Sequence, residues 1–323
     1  MTFLSDSALE RLRAAADAPD LAGTRYRLLG KLGEGGMGGV FRVEDSTLER
    51  EVALKVINVD DPGLSARLLQ EARVIAKLEH PGIVPVHDAG TLPAGRPYYT
   101  MKLVQGKRLD EMSNEAVGTS DRLRMFLRIC EPVAFAHAHG VLHRDLKPAN
   151  IMIGPFGEVL VMDWGLSKLL GEGIASSNNG ATSEGWPANS APAAFATAHG
   201  SVLGTPGYMA PEQRNGETVD QRADVYALGA ILEFLLHDAQ PRAAARLSAI
   251  WRKAKSEARS RRYASVTDLA DDVSQFLDGL PVSAYPEGVL SRVWRWIARN
   301  RTWILLLLVY VVVRALLIFF RPR

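Results

Sequence analysis

The chain has 323 residues, 47% of them hydrophobic, so it is long enough for one large domain or two ordinary ones with substantial cores. Its formal net charge of +2 argues against a nucleic-acid-binding protein held by a broad basic surface, and we expect no nucleic-acid partner. A single cysteine, Cys130, excludes an internal disulfide framework and indicates a reducing compartment.

The first predicted elements follow a short N-terminal extension, residues 1–24. Within it, residues 5–18 have the spacing of an amphipathic helix that ends at Pro19. From Tyr26 onwards, short apolar segments between Gly-rich or polar turns predict strands. These strands are predicted at residues 26–32, 39–45, 51–58, 84–90 and 98–103. One helix, residues 64–78, is predicted between the third and fourth strands, so this part of the chain is a small β-rich lobe.

The sequence after Gly106 is predicted to be mostly helical, by the helical spacing of its apolar residues. The predicted helices lie at residues 122–138, 219–236, 243–258 and 266–277. A polar stretch at residues 171–200 lacks the periodicity of a packed element and is predicted to be a long loop. Residues 281–301 are predicted to be a basic linker.

The C-terminal segment, residues 302–320, is almost entirely apolar or aromatic, and Arg314 is its one charged residue. Its length is at the short end of the range that spans a bilayer. Three tryptophans would occupy an interfacial belt, and more arginines precede the segment than follow it. We therefore predict a transmembrane helix in a single-pass protein of the cell membrane, with the large N-terminal part in the cytoplasm. A buried C-terminal helix is the alternative. The tryptophans are Trp294, Trp296 and Trp303.

A glycine-rich run, GEGGMGGV at residues 33–40, joins the first two predicted strands. Glycines let a backbone turn approach phosphate groups without Cβ clashes. This pattern is weak by itself, but its position between two strands disfavours a dinucleotide-binding motif, which must open a helix.

The third predicted strand contains a lysine, Lys55, within the apolar run Val-Ala-Leu-Lys. A buried ammonium group is costly unless its charge is used. Lys55 is therefore either a snorkelling residue of an edge strand or a phosphate-pairing lysine. Glu71, on the following predicted helix, is placed to hold it in the second case.

The strongest motif is the run HRDLKPAN at residues 143–150. Asp145 and Asn150 lie five residues apart, and Asp163 follows in an Asp-Trp-Gly turn after an apolar strand. Two carboxylates and an amide that converge from two turns predict a site that binds magnesium and handles protons. The nearby histidines His137, His139 and His143 also suggest a metal site. No fourth ligand lies close in sequence, so we expect structural roles for them.

In their order along the chain, these motifs resemble the eukaryotic-type serine/threonine protein kinases of bacteria, in particular the membrane-anchored class. The resemblance implies an α+β, bilobal kinase domain at residues 25–280. Its small lobe would cover residues 25–104, its helical lobe residues 105–280, and a transmembrane helix would follow. The resemblance also implies ATP and Mg²⁺ as cofactors, with Mn²⁺ as an alternative cation. The implied partners are protein substrates, the membrane, and a second copy of the chain for phosphorylation in trans.

The resemblance assigns roles position by position. Asp145 would be the catalytic base, and Lys147 would support the transferring phosphate. Lys55 would contact the α- and β-phosphates, with Glu71 as its helix partner. The implied magnesium ligands are Asn150 and Asp163. The implied nucleotide-binding residues are Leu32, Gly33, Gly35, Gly38, Val40, Ala53, Lys55, Met101, Lys102, Val104 and Met152.

The run GTPGYMAPE at residues 204–212 resembles the substrate-facing loop of these kinases and its Ala-Pro-Glu end. By resemblance, Thr205 would hydrogen-bond the catalytic residues, and Glu212 would pair with Arg262. The helix that contains Asp224 would support the catalytic loop.

Arg144, beside the catalytic aspartate, implies control by phosphorylation of the activation loop. A phosphate carries about −1.5 to −2 charges, which an arginine can hold. The candidate acceptors are Thr197 and Ser201, because Thr205 has its own role.

Two features depart from the family pattern. Trp164 replaces the usual phenylalanine after the metal-binding aspartate, and residues 236–247 are shorter than the family's corresponding region. Two alternatives to a protein kinase remain open at this point. One is a catalytically inactive kinase fold that acts as a scaffold. The other is a small-molecule phosphotransferase, which is not expected to carry Lys147 or the loop at residues 204–212.

Overall fold

The computed structural model describes most of the region from residue 18 to residue 285. Residues 36–37, 113–117, 165–206 and 238–240 lie outside this description, as do most of residues 58–74. The described residues are 18–35, 38–57, 69, 72–73, 75–93, 95–112, 118–164, 207–237, 241–285 and 310.

A five-stranded antiparallel sheet forms the N-terminal lobe, in the order β1-β2-β3-β5-β4. Its strands form because apolar and polar residues alternate: Phe41 and Val43 are buried on one face, while Arg42 between them is exposed. The strands are β1 (Tyr26–Gly35), β2 (Gly38–Asp45), β3 (Arg50–Ile57), β4 (Val86–Thr91) and β5 (Pro97–Lys102). The five predicted strands are thus confirmed, with end points that agree or differ by up to three residues.

Helices and a small three-stranded sheet form the second lobe. Phe126, Ile129, Leu228 and Ile231 are fully buried in its core. The described helices are α1 (Thr119–Ala138), α2 (Pro211–Arg214), α3 (Gln221–Leu235), α4 (Pro241–Ala254) and α5 (Val266–Leu277). The strands are β6 (Lys107–Arg108), β7 (Ile151–Ile153) and β8 (Val159–Val161). The four predicted helices of this lobe correspond to α1, α3, α4 and α5.

The short region after α3 has a structural consequence, because α4 begins almost directly after it, at Pro241. The two helices pack closely at Gly229, where an added Cβ would lie 2.7 Å from the Cβ of Ala254. A larger residue at Gly229 would therefore separate α3 from α4.

Main-chain hydrogen bonds join the segment before β4 to the helical lobe. The Val161 N–H donates to Gly82 O at 2.8 Å, and the Val84 N–H donates to Val161 O at 3.4 Å. These bonds fix the end of β8, and the chain reaches Asp163 two residues later. The position of Asp163 is therefore set by both lobes.

The predicted linker and C-terminal segment are described only in part. Residues 281–285 pack against the helical lobe, where Val282 is 4% exposed. Residues 286–323 lie outside the described residues except for Tyr310, which is helical. Within the part of the chain that is described, there is no helix long and apolar enough to cross a membrane.

Candidate active site

The catalytic-loop residues form a hydrogen-bonded cluster centred on Asp145. Lys147 Nζ donates to Asp145 Oδ2 at 2.9 Å. The side-chain nitrogen of Asn150 donates to the backbone oxygen of Asp145 at 2.8 Å and to Oδ2 at 3.2 Å. Because a carbonyl oxygen can only accept, these bonds fix the orientation of the amide group. The amide oxygen of Asn150 is consequently the atom that can bind a cation.

Lys55 and Asp163, from different lobes, form a direct ion pair. Lys55 Nζ lies 2.5 Å from Asp163 Oδ1. Asp163 has a left-handed backbone with φ of 54°, a conformation that aspartate tolerates better than most residues. The turn after β8 therefore directs this carboxylate to the lysine of β3. The predicted alternative of a snorkelling surface lysine is wrong, because the ammonium is paired and mostly buried.

The two partners influence each other's pKa. Burial acts to lower the pKa of Lys55, but Tyr99 and the Asp163 carboxylate outweigh it and hold the pKa above its ordinary value. Burial acts to raise the pKa of Asp163, but Lys55 outweighs it, so the pKa of this carboxyl lies below its ordinary value. Both groups are therefore charged at neutral pH.

His143 connects the catalytic loop to the segment that carries Asp163. His143 Nε2 donates to Met162 O at 2.8 Å, and Nδ1 accepts the Asp145 N–H at 3.3 Å. Burial lowers the pKa of His143, which agrees with this neutral tautomer. The Trp164 ring packs against the imidazole with centroids 4.8 Å apart, and its indole N–H donates to Val161 O at 3.1 Å. The tryptophan therefore fills a buried site beneath the candidate active site.

Asp224 on α3 supports the catalytic loop by hydrogen bonds to its backbone, as expected. Its Oδ2 accepts the His143 N–H, and its Oδ1 accepts the Arg144 N–H, both at 2.8 Å. His137 Nε2 lies 2.7 Å from Oδ2. Burial acts to raise the pKa of Asp224, but the bonds from His137 and His143 outweigh it and keep this pKa below its ordinary value. Arg144 itself has a left-handed backbone with φ of 65°.

The predicted pair of Glu212 and Arg262 is confirmed as a buried, two-pronged ion pair. Arg262 Nη1 and Nη2 lie 2.6 and 2.8 Å from the two carboxylate oxygens of Glu212. The sequence did not indicate the next residue, Gln213, which donates to Arg144 O at 2.9 Å. Its partner lies 69 positions away, so no local pattern could have revealed this contact. Gln213 therefore ties α2 to the catalytic loop, and Glu212 ties α2 to the segment that precedes α5.

The three histidines have partners other than metals. His137 pairs with Asp224, His143 with Met162 O, and His139 Nδ1 lies 2.8 Å from Phe135 O. The structural roles expected for them are therefore confirmed.

The residues expected around a nucleotide lie on adjacent strands of the N-terminal lobe and on β7. Gly33 pairs with Val40, Val40 with Lys55, and Ala53 with Met101. Met152 lies on β7 in the helical lobe, and Leu32 is half exposed on β1. Gly38 begins β2, Gly35 ends β1, Lys102 ends β5, and Val104 follows it in the segment between the lobes. Glu71, Thr197, Ser201 and Thr205 lie outside the described residues.

The donor set fits magnesium. The Met162 N–H donates to Asn150 O at 2.9 Å, so the segments that carry Asn150 and Asp163 are direct neighbours. Among the described residues, there is no cluster of three or more His, Cys, Asp or Glu side chains that could hold a metal ion without other ligands. A carboxylate and an amide oxygen that share a cation with substrate phosphates are the usual ligands of Mg²⁺.

The sequence matches the protein kinase domain family over residues 26–282. The chain belongs to the protein kinase family, and its β-sheet lobe and helical lobe agree with the predicted kinase fold. Among its relatives is the serine/threonine-protein kinase PknD of Protochlamydia amoebophila, 39% identical over 228 residues, which are 65% of this chain and 23% of that protein.

Two further relatives are bacterial kinases. The PknD protein of Chlamydia felis is 34% identical over 302 residues, 80% of this chain and 31% of the relative. The DNA damage-responsive serine/threonine-protein kinase RqkA of Deinococcus radiodurans is 41% identical over 221 residues, 66% of this chain and 29% of the relative. The chain thus matches less than a third of the length of each of these relatives.

Proposed function

We propose that the chain is a serine/threonine protein kinase that transfers the γ-phosphoryl group of ATP to protein hydroxyl groups. The observation that carries this proposal is the cluster in which Asp145 is held by Lys147 and Asn150, beside the Lys55–Asp163 ion pair. Phosphoryl transfer requires mainly positioning and charge neutralisation, and this cluster supplies both.

Each charged group has a distinct role in the proposed reaction. Asp145 orients the acceptor hydroxyl and accepts its proton. Lys147, which donates a hydrogen bond to the Asp145 carboxylate, would stabilise charge on the transferring phosphate. Asn150 and Asp163 would hold magnesium, which when bound neutralises charge on the phosphates. Lys55 would hold the α- and β-phosphates with Glu71 as its helix partner.

The nucleotide would lie between the two lobes. The glycines Gly33, Gly35 and Gly38 would cover its phosphates. The remaining residues proposed to line its site are Leu32, Val40, Ala53, Met101, Lys102, Val104 and Met152. Their support is the pairing of Val40 with Lys55 and of Ala53 with Met101 on adjacent strands. Serine and threonine are the proposed acceptors because Lys147 matches the lysine of that kinase class.

The arrangement of the whole chain is also a proposal. It comprises an extension at residues 1–24, a kinase domain at 25–280, a basic linker at 281–301 and a membrane helix at 302–320. The support for the membrane helix is its apolar composition and the arginines that precede it. The kinase domain would then lie in the cytoplasm, where a second copy of the chain could phosphorylate its activation loop.

Transfer of radiolabel from Mg·[γ-³²P]ATP to a generic basic protein tests the proposed function. We expect labelling by the wild type and a loss of about 100-fold or more in Asp145→Ala, since a positioned base contributes about 10²- to 10⁴-fold. Equal labelling by both proteins, or none by either, would favour a scaffold. ADP formation that depends on a small-molecule acceptor, with no label on protein, would favour a small-molecule phosphotransferase.

A further inference from the structure

Tyr99 on β5 lies directly opposite Lys55 on β3. The two residues are register partners in the antiparallel β3–β5 pair. The Lys55 ammonium lies 5.9 Å from the centroid of the Tyr99 ring, and Tyr99 acts, against the effect of burial, to raise the pKa of Lys55. Tyr99 is only 4% exposed. Lys55 thus has a partner within its own sheet, in addition to Asp163 from the other lobe.

The two partners of Lys55 differ in how they are held. Five consecutive residue pairs, from Val52–Lys102 to Val56–Tyr98, fix the register of β3 against β5. The backbone of Tyr99 therefore stays opposite that of Lys55 unless the sheet is disrupted. Asp163 instead lies in a turn with left-handed backbone, and its carboxylate is the group that we propose for magnesium.

The neighbouring tyrosine, Tyr98, provides an internal comparison. Successive residues of a strand point to opposite faces of the sheet. Tyr98 packs in the smaller apolar cluster of the N-terminal lobe, with its ring edge-on to Tyr26. Tyr99 belongs to the large core that continues into the helical lobe. Both tyrosines are buried, but only Tyr99 lies beside the lysine.

We propose that Tyr99 is a positioning residue for Lys55. Its hydroxyl oxygen accepts a hydrogen bond from the ammonium group, which lies 5.9 Å from the centroid of the ring. This contact keeps Lys55 directed into the cleft when the Asp163 carboxylate is shared with a cation and nucleotide phosphates. The proposal rests on the proposed function, because it assigns to Lys55 the contact with the nucleotide phosphates.

The expected effect of removing the hydroxyl is confined to the nucleotide. Tyr99→Phe keeps the ring and the burial but removes the oxygen. Because a hydrogen bond to a charged group contributes more than a neutral one, we expect kcat/KM for ATP to fall about tenfold. The KM for the protein substrate should stay unchanged, because Tyr99 is buried in the N-terminal lobe and its proposed contact is with Lys55. Tyr98→Phe, on the opposite face, should leave all of these constants at wild-type values.

A second readout does not depend on phosphoryl transfer. An acyl-phosphate analogue of ATP acylates lysines near the bound phosphates, and peptide mass spectrometry reports the labelling rate of each lysine. With magnesium present, so that Asp163 is shared with the cation, we expect Lys55 in full-length Tyr99→Phe to be labelled about tenfold more slowly than in the wild type. Surface lysines should react at the same rate in both. If the wild type transfers no phosphate but Lys55 labelling still depends on Tyr99, the proposed function fails and the positioning role stands.

A further variant, Tyr99→Met, fills a similar volume without a hydroxyl or a ring, and thermal unfolding is measured for every variant. Shared losses in Tyr99→Phe and Tyr99→Met, with a folded protein in each case, support the role of the hydroxyl. The proposal is overturned if Tyr99→Phe stays within twofold of the wild type in both readouts. It is equally overturned if Tyr98→Phe causes the same losses, because the effect would then arise from the sheet as a whole.

Discussion

The carboxylate of Asp224 holds the backbone of Arg144 in a left-handed conformation. Its Oδ1 accepts the Arg144 N–H at 2.8 Å, and Arg144 has a φ of 65°. A residue with a Cβ rarely adopts this conformation, and the surrounding bonds must compensate for it. The catalytic loop therefore depends on a buried carboxylate 80 residues further along the chain.

We expect Asp224→Asn to destabilise the protein by about 2–4 kcal/mol, because the backbone N–H of either His143 or Arg144 loses its acceptor. Kinase activity should fall as well, since His143 and Arg144 precede Asp145. The measurement is chemical unfolding together with radiolabel transfer. Asp220→Asn on the same helix is the matched control. Asp220 caps α3 by accepting the Arg222 N–H at 2.8 Å, and asparagine caps equally well. A similar loss of stability in both variants would contradict the prediction.

The buried Glu212–Arg262 pair should show strong coupling in a double-mutant cycle. Arg262→Met removes both short bonds to the buried carboxylate and leaves it only the longer contact with Arg259, whose Nε lies 3.7 Å from Glu212 Oε1. We expect a loss of about 3–5 kcal/mol of unfolding free energy. The combination with Glu212→Leu should be less destabilising than the sum of the two single changes. The exposed pair of Arg124 with Asp121 provides the comparison, and Arg124→Met should leave stability within experimental error. Additive losses at Glu212 and Arg262 would show that the two side chains act independently.

Asp272 should make the stability of the domain depend on pH. Its carboxylate accepts the Tyr263 hydroxyl at 2.7 Å, the Ser283 N–H at 2.6 Å and hydroxyl at 2.8 Å, and the Ala284 N–H at 3.0 Å. Burial acts to raise the pKa of Asp272, but these hydrogen bonds outweigh it and lower the pKa. A lowered folded-state pKa contributes stability above the ordinary value of about 4, and this contribution is lost as pH falls through the folded value.

The free energy of unfolding, measured from pH 7 down to pH 3, tests this expectation. The wild type should lose stability more steeply on acidification than Asp272→Asn. The variant should be less stable by about 2 kcal/mol at pH 7, and the difference should shrink at low pH. Parallel profiles would mean that Asp272 has the same pKa in the folded and unfolded states.

Trp164→Phe tests the replacement after the metal-binding aspartate. Phenylalanine cannot donate to Val161 O and leaves space beside His143. We expect a loss of about 1–3 kcal/mol in unfolding free energy. Because Asp163 is unchanged, the KM for ATP should stay within about threefold of the wild-type value. An unaltered melting temperature together with a large increase in this KM would contradict a packing role for Trp164 and would indicate a role in nucleotide binding.

The sequence was informative where chemistry depends on closely spaced residues. Asp145 and Asn150 lie within one short run, so their meeting was predictable, and α5 was predicted at its observed limits. That helix has an apolar stripe and a capping box, in which Ser265 and Asp268 each accept a backbone N–H of the other residue. Local patterns of this kind do not require knowledge of the fold.

Contacts between distant residues could not be predicted in the same way. Gln213 is an ordinary helix residue until the fold brings it to Arg144 O. In the sequence, Tyr99 is indistinguishable from the other apolar residues of its strand, because its side chain comes to lie beside Lys55 only when β5 pairs with β3. Asp272 lies on an amphipathic helix, and aspartates there are commonly solvated. In each case the partner is set by tertiary packing, which leaves no periodic signal in the sequence.

The most direct measurement is the identity of the phosphorylated residue. A peptide library with serine, threonine and tyrosine acceptors is incubated with Mg·[γ-³²P]ATP and either the wild-type chain or Asp145→Asn, which keeps the shape of the side chain. We predict label on serine and threonine peptides with the wild type and a loss of about 100-fold or more with the variant. Label confined to tyrosine, or equal labelling by both proteins, would contradict the assignment.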